Sequence, residues 1–270
     1  MGRRTETTIT TGRGTSVVST RETRIDMHVK VVDESVIQRA AARGIDALVY
    51  APHFTPLPTI ERRATELSSA DVTVIPAREV FTGPWHQRRH VLAIGLTDPV
   101  PDFIPLATAL AEFERQEAAI LIPHPGFLSV SLSRTEVERH RDHIHAIECY
   151  NPKFLPHHTR RARRIARITG LPTFASSYAH LRGTVGDVWT TYPGEIDSAM
   201  ALRDALSDGT VGVPVAAGGL RHASRRALEF GHLAWENSGT KAARVFSPGR
   251  EPTHPHQAVY EGRFDEVTAD

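Results

Sequence analysis

An α/β barrel is the fold this sequence predicts, and three observations carry it. Strand-like apolar runs alternate with helix-like segments six or seven times in about 190 residues, the pattern of βα units on a mainly parallel sheet. The runs are mostly apolar on both faces, as strands buried between helices are. Potential ligands, His28, His53, Glu79, His124 and His180, each close a separate run, and in parallel α/β folds strand carboxyl ends converge on one site.

The elements follow in order. Residues 1–22 are Thr-, Arg- and Gly-rich and read as a disordered tail. Residues 24–31 (RIDMHVKV) alternate, with Ile25, Met27 and Val29 against Asp26, His28 and Lys30, a strand with an unusually charged face. Asp33 is a plausible N-cap for a helix over 34–43, which Gly44 ends. Strand 47–51 leads to Pro52-His53, and a helix over 60–67 follows. Strand 72–76 leads to Arg78-Glu79. Strand 90–96 breaks the pattern, because His90 opens it; the loop 81–89 must fold back over the barrel mouth to use it. Helix 104–117 precedes the apolar strand 118–123, which ends in His124-Pro125-Gly126. Helix 135–140 and strand 146–150, with Glu148 inside, come next. Helix 158–169 is strongly basic: a solvated face, or one that meets phosphates. Strand 172–176 leads to Tyr178-Ala179-His180, then a helix over 199–206 and a strand over 211–215. The domains are thus a tail at 1–22, a barrel at 23–216, and a C-terminal extension at 217–270 packed on it, with a helical pair over 221–244 broken near 237–239.

Composition bounds the chemistry. Thirty-two Lys and Arg against 31 Asp and Glu leave a net charge of +1, so no overall field argues for nucleic acid or membrane. No apolar run approaches the ~20 residues of a membrane span. One cysteine, Cys149, excludes an internal disulfide and fits a cytoplasmic, reducing setting; inside a strand it reads as a buried small residue. No Gly-rich phosphate loop, nucleophile elbow or CxxC pair is present, which argues against P-loop, dinucleotide and serine-hydrolase chemistry. Imidazoles and a carboxylate converging on one cavity are costly without a cation. His plus carboxylate without thiolate suits Zn, Mn or Fe. Other histidines, such as His140, His143 and His157, fit surface or capping roles.

The ordered set resembles the PHP (polymerase and histidinol phosphatase) superfamily over residues 24–215. Asp26-Met27-His28-Val29-Lys30 matches its D-x-H-x-H, Pro52-His53 its Asp-His, Glu79 its third-strand Glu, and His90 the His opening an H-V-L strand. His124-Pro125 matches its His-Pro, residues 147–151 its I-E-x-Y-N, and Tyr178-Ala179-His180 its closing D-x-H. The resemblance implies a distorted (βα)7 barrel holding up to three metal ions, in a family of phosphoesterases and nucleases. Three expected residues differ: Lys30 replaces a His, and Pro52 and Tyr178 replace Asp residues. The positions of Lys30 and Tyr178 serve the same ion in the family, so one ion loses two ligands. The expectation is that Lys30 stands in that ion's place and contacts Asp26 or Glu79. Glu79, His90 and His124 remain as one intact ion site; His53 and His180 form a second, with Asp33 as the matching acid. One or two divalent ions are therefore expected.

Two functions are open. One is a metal-dependent phosphoesterase or exonuclease taking a phosphorylated small molecule or a nucleic-acid end. Lys30, Arg78 and Asp26 are then the candidate catalytic groups, with Lys153 and Arg182 as anion-binding residues. The other is a catalytically impaired relative that binds a phosphorylated ligand or partner.

Overall fold

The computed structural model describes residues 4–11, 14–127, 130–218, 224–225, 227–229, 231–232 and 249–264. Ten strands form one sheet that curls into a nearly closed barrel: β1 Arg4–Thr11, β2 Gly14–Val29, β3 Ala47–Tyr50, β4 Thr73–Thr82, β5 Arg89–Ile94, β6 Ala119–Ile122, β7 Ala146–Tyr150, β8 Thr173–Ala175, β9 Val188–Pro193 and β10 Val213–Ala216. Their order is β10-β9-β2-β3-β4-β5-β6-β7-β8, with β1 paired to β2. A parallel bridge from Val29 to Ala179 and the Thr190 hydroxyl, bonded to Ala175 N and O at 2.9 Å, draw the ends together.

The sheet is mixed rather than parallel throughout. β2-β3-β4 and β6-β7-β8 are parallel runs, but β5 is antiparallel to both β4 and β6. This resolves the anomaly at His90. An antiparallel strand begins where its neighbour ends, so His90 sits opposite Phe81 at the mouth. The 3-10 turn Trp85–Gln87 makes the reversal. The unexpected β9 carries its own signal, since Val188, Thr190 and Tyr192 are buried in strict alternation.

Among the described residues up to 207, six α-helices alternate with the strands: α1 Glu34–Ala42, α2 Leu57–Leu67, α3 Leu106–Arg115, α4 Arg134–Arg139, α5 Pro156–Thr169 and α6 Ala199–Ser207. Asp33 caps α1, its carboxylate accepting from Val36 N at 3.0 Å, worth about 1 kcal/mol. α2 and α5 start two or three residues earlier than periodicity predicts. Each has a proline in its first turn, Pro58 in α2 and Pro156 in α5, whose fixed φ and missing N–H suit that place. An interior cluster including Met27, Val49, Ala77, Leu92, Leu121 and Phe174 fills the barrel, and α6 adds Leu202 and Leu206 to it. A second cluster, around Phe113, Ile120 and Ile147, packs the helices outside.

The N-terminal region differs from expectation. Within the stretch read as a disordered tail, β1 pairs with Gly14–Arg21 of β2, from Thr11↔Gly14 to Arg4↔Arg21. Both segments are dense in Thr, Val and Ile, which favour extended backbone. In the C-terminal extension, Tyr260 and Phe264 join the outer cluster and Thr253 bonds Asp102, which ties residues 249–264 to the barrel. The helical pair expected over 221–244 lies largely outside the described residues.

Candidate metal centre

Strand alternation sends Ala77 and Glu79 into the barrel and Arg78 out of it. Glu79 is fully buried. Its Oε1 lies 3.2 Å from His90 Nδ1 and 3.2 Å from His124 Nε2. Its Oε2 bonds the Lys30 ammonium, lies 2.9 Å from His53 Nε2, and is 3.6 Å from His28 Nε2. Burial opposes ionisation, but the positive charge of the Lys30 ammonium holds this carboxyl well below the usual range. Among the described residues, Glu79, His90 and His124 are the group whose ligand atoms lie within 4.8 Å of one another.

The donor set fits a cation, on two observations. Ser131 Oγ donates to Phe127 O at 2.6 Å, so it accepts from His124 Nδ1 at 3.0 Å. That leaves a bare lone pair on Nε2 facing the Glu79 carboxylate. Two acceptors at 3.2 Å repel unless the ring is charged or a cation sits between them. Second, His90 Nε2 and both nitrogens of His28 are buried without a hydrogen bond. Burial lowers the pKa of His90 to about 3; burial and then Lys30 do the same to His28. Both rings are therefore neutral and able to ligate.

The approach of the ligands is built by the backbone. The β2–β3 register shifts between Asp26 and Val29, so Met27 stays in the interior cluster and the next residue, His28, still reaches Glu79. His124 and Tyr178 hold φ of +36° and +45°, strained values for residues with a side chain. Glu148 anchors the first of these: its Oε2 accepts from His124 N at 2.7 Å and from Asn151 Nδ2 at 2.8 Å, and its Oε1 from Ser176 Oγ at 2.5 Å. The Tyr178 ring packs between His28 and His124, at centroid distances of 4.9 and 5.2 Å.

The expectation for Lys30 matches this geometry: it contacts Glu79 and donates to Ala51 O at 2.5 Å. Four other assignments need correction. Arg78 is fully buried and turned away from the centre; it donates to Thr55 O at 2.8 Å and to Asp102 Oδ2 at 3.1 Å, a strut rather than a substrate contact. Asp26 accepts from the backbone of Ser177 and Gly186 at 2.8 Å each, so it ties β2 to the loop bearing His180. Burial raises its pKa to about 7. Lys153 is fully buried, donating to Tyr178 O and His180 Nδ1 at 2.5 Å and lying 3.2 Å from Glu229 Oε2. Arg182 is 70% exposed and paired with Asp33 at 2.6 Å.

That last pair takes Asp33 away from the place expected of it at a second ion site. Asp33 is spent on α1 and Arg182. The rings of His53 and His180 are 5.6 Å apart. His180 Nδ1 lies 2.5 Å from Lys153 Nζ and 3.1 Å from Tyr178 O. The acid at this place is Glu229, which sequence reasoning missed. It accepts from His180 N, Leu181 N and Thr184 Oγ1. Nothing in its surroundings marks it, because its partners lie about 50 residues away. Ser131 was missed as well, although a hydroxyl seven residues after a ligand histidine is a readable second-layer signal.

An aromatic wall adjoins the centre. Phe81 stacks on His90 at 3.8 Å, and Phe54 meets Phe81 at 4.8 Å. Trp85 lies 6.4 Å from Phe54 and carries the Arg88 guanidinium 3.9 Å above its ring. Phe54 and Trp85 are half-buried.

The family model for PHP-associated segments matches residues 156–211, from the start of α5 through α6. The barrel is similar to that of PsfC from Pseudomonas syringae, with a TM-score of 0.61 and 16% identity over 78% of this chain and 99% of that one. It is also similar to the lesion-specific endonuclease PfuEndoQ from Pyrococcus furiosus, with a TM-score of 0.52 and 16% identity over 72% of this chain. The chain spans 57% of that endonuclease. At such identities the likeness is one of fold. No curated protein sequence matches the chain. Among the described residues no helix is long and apolar enough to cross a membrane.

Proposed function

We propose that this protein is a divalent-metal-dependent phosphoesterase of the PHP superfamily, hydrolysing phosphate mono- or diesters at the barrel mouth, with the ion held by Glu79, His90 and His124. The observation that carries the reading is the pair of facing acceptors, Glu79 Oε1 and His124 Nε2, in a buried pocket beside the neutral rings of His28 and His90. A divalent ion bound there supplies Lewis-acid charge for phosphoryl transfer to water. Zn, Mn and Fe all suit the donors.

The chain's own groups fill the remaining roles. Lys30 neutralises Oε2 of Glu79 and adds fixed positive charge beside the centre, where a phosphoryl group gathers negative charge. Ser131 sets the tautomer of His124, and Glu148 sets its backbone. Phe54, Phe81 and Trp85 keep one side of the mouth apolar and restrict water.

The test is metal content by mass spectrometry, with turnover of aryl phosphates and short oligonucleotides in added Mn²⁺ or Zn²⁺. The expected result is a single ion per chain and hydrolysis that His124→Ala abolishes. A Glu79→Ala variant with full turnover overturns the reading. One observation favours a second reading, a binding protein without turnover: Lys30 occupies the Oε2 edge of Glu79, so the carboxylate bridges to an ammonium where it would otherwise bridge two ions. Stoichiometric metal with no turnover on any ester supports that alternative.

A further inference from the structure

Helix α5 carries Arg160, Arg161, Arg163, Arg164 and Arg167, all exposed, and no acidic residue. Its buried side, Ala162, Ile165, Ala166 and Thr169, is small and apolar, so the helix is held by one face and presents arginines on the other. Positions 160, 163/164 and 167 follow helical spacing and form one stripe, which runs about 10 Å at 1.5 Å per residue.

The rest of the chain treats arginine differently. Arg39 and Arg43 pair with Asp187, Arg89 with Glu136, and Arg115 with Asp98 and Glu112. Among the described residues none of the five α5 arginines has an ion-pair partner. In a protein of net charge +1 this is a local field, and the mutual repulsion along the stripe calls for an external anion.

The stripe leads to the centre. Arg161 lies across Gly126, two residues beyond His124: a Cβ on Gly126 would stand 2.6 Å from Arg161 Nε. Gly126 also has φ +67°, so the close approach and the turn both require glycine. On the far side, Arg163 and Arg167 border a cavity of about 540 Å³ between α5 and Cys149, Thr173 and Pro214. At the near end, the His158 ring meets Phe127 at 4.8 Å.

We propose that the exposed face of α5 is a track for the phosphodiester backbone of a nucleic-acid strand, guiding it to the loop of His124. Guanidinium forks match phosphate oxygens in geometry as well as charge. The outward positions are mostly arginine, with Ile168 as the one large apolar residue exposed on the helix, far short of the apolar face that an interfacial membrane helix buries. At the mouth, the half-buried ring of Trp85 suits an unstacked base. The proposal rests on the hydrolase reading only in bringing the strand's end to the metal centre.

The test is fluorescence anisotropy of labelled single-stranded and duplex oligonucleotides with the full chain in EDTA, so that binding is read without turnover. The variants are R160E/R164E/R167E and, in case reversal perturbs folding, R160Q/R164Q/R167Q, with thermal melts beside them. The expected result is at least about tenfold weaker binding, with a salt slope shallower by about 2 units for a single strand, at ~0.7 per lost contact. Aryl phosphate turnover should be unchanged. Equal affinity and slope in wild type and variants overturns the proposal, as does binding to phosphatidylserine vesicles without binding to oligonucleotides. Oligonucleotide binding that the variants lose, with no ester hydrolysed, upholds the track and removes the hydrolase reading. Hydrolysis without oligonucleotide binding does the reverse.

Discussion

Two buried lysines face two buried glutamates across the same barrel mouth, and their surroundings differ. Lys153 and Glu229 make a closed set: the ammonium reaches Tyr178 O, His180 and Glu229, and the carboxylate takes two backbone amides and the Thr184 hydroxyl. Lys30 and Glu79 make an open set. The carboxylate faces four imidazoles, several ring nitrogens have no bond, and His124 offers a lone pair to an anion. Burial makes every unsatisfied polar atom costly, so the first set reads as structure and the second as the place for the proposed cation. The same pair of residue types thus serves two ends, and the hydrogen-bond inventory separates them.

The largest expected effect falls on the open set. Glu79→Ala should remove the bound ion and all turnover, read by metal analysis and an aryl phosphate assay. In EDTA its stability should fall less than that of Glu229→Ala, because Glu229 also satisfies two backbone amides and the Thr184 hydroxyl. Glu229→Ala should cost about 3–5 kcal/mol in denaturant unfolding, since it strands Lys153 and two amides in the interior. Its metal content should stay that of the wild type. If Glu229→Ala loses the ion as well, the two sets are one site and the contrast fails.

Much of this was legible in the sequence. His28, His53, Glu79 and His124 each follow an apolar run, and the chain reversal brings the ends of those runs together. The trio Glu79, His90 and His124 is the group expected from family resemblance, and the contact of Lys30 with Glu79 matches its expected place. What was hidden is physical in origin. Arg78 and Glu79 are adjacent, and only strand alternation, not residue type, decides which one faces the centre. Asp102 and Glu229 meet their partners across long sequence separations that no local pattern encodes. The direction of β5 was also open, because an apolar strand reads the same both ways; His90 at its first position was the clue.

Ser131 offers a finer test of the open set. Ser131→Ala removes the acceptor that keeps the proton on His124 Nδ1, so the ring can turn its N–H toward Glu79 and satisfy both atoms without a cation. Metal affinity should fall about 10–100-fold, the usual cost of losing an outer hydrogen-bond partner. Competition with a fluorescent chelator measures it. Unchanged affinity would mean that the His124 tautomer is set elsewhere.

The smallest effect belongs to the rim. Trp85 is half-buried, touches no ligand atom of Glu79, and contributes a ring face and the seat of Arg88. Trp85→Ala should leave metal content and thermal stability near wild type. It should raise KM for aryl phosphates or nucleotides several-fold, since stacking of one aromatic group is worth about 1–3 kcal/mol when complete and less at a half-exposed position. An alkyl phosphate, which has no ring to stack, should show no change in KM. A rise for both substrates would assign Trp85 to the packing of the centre, through Phe54 and Phe81, and would extend the open set outward to the rim.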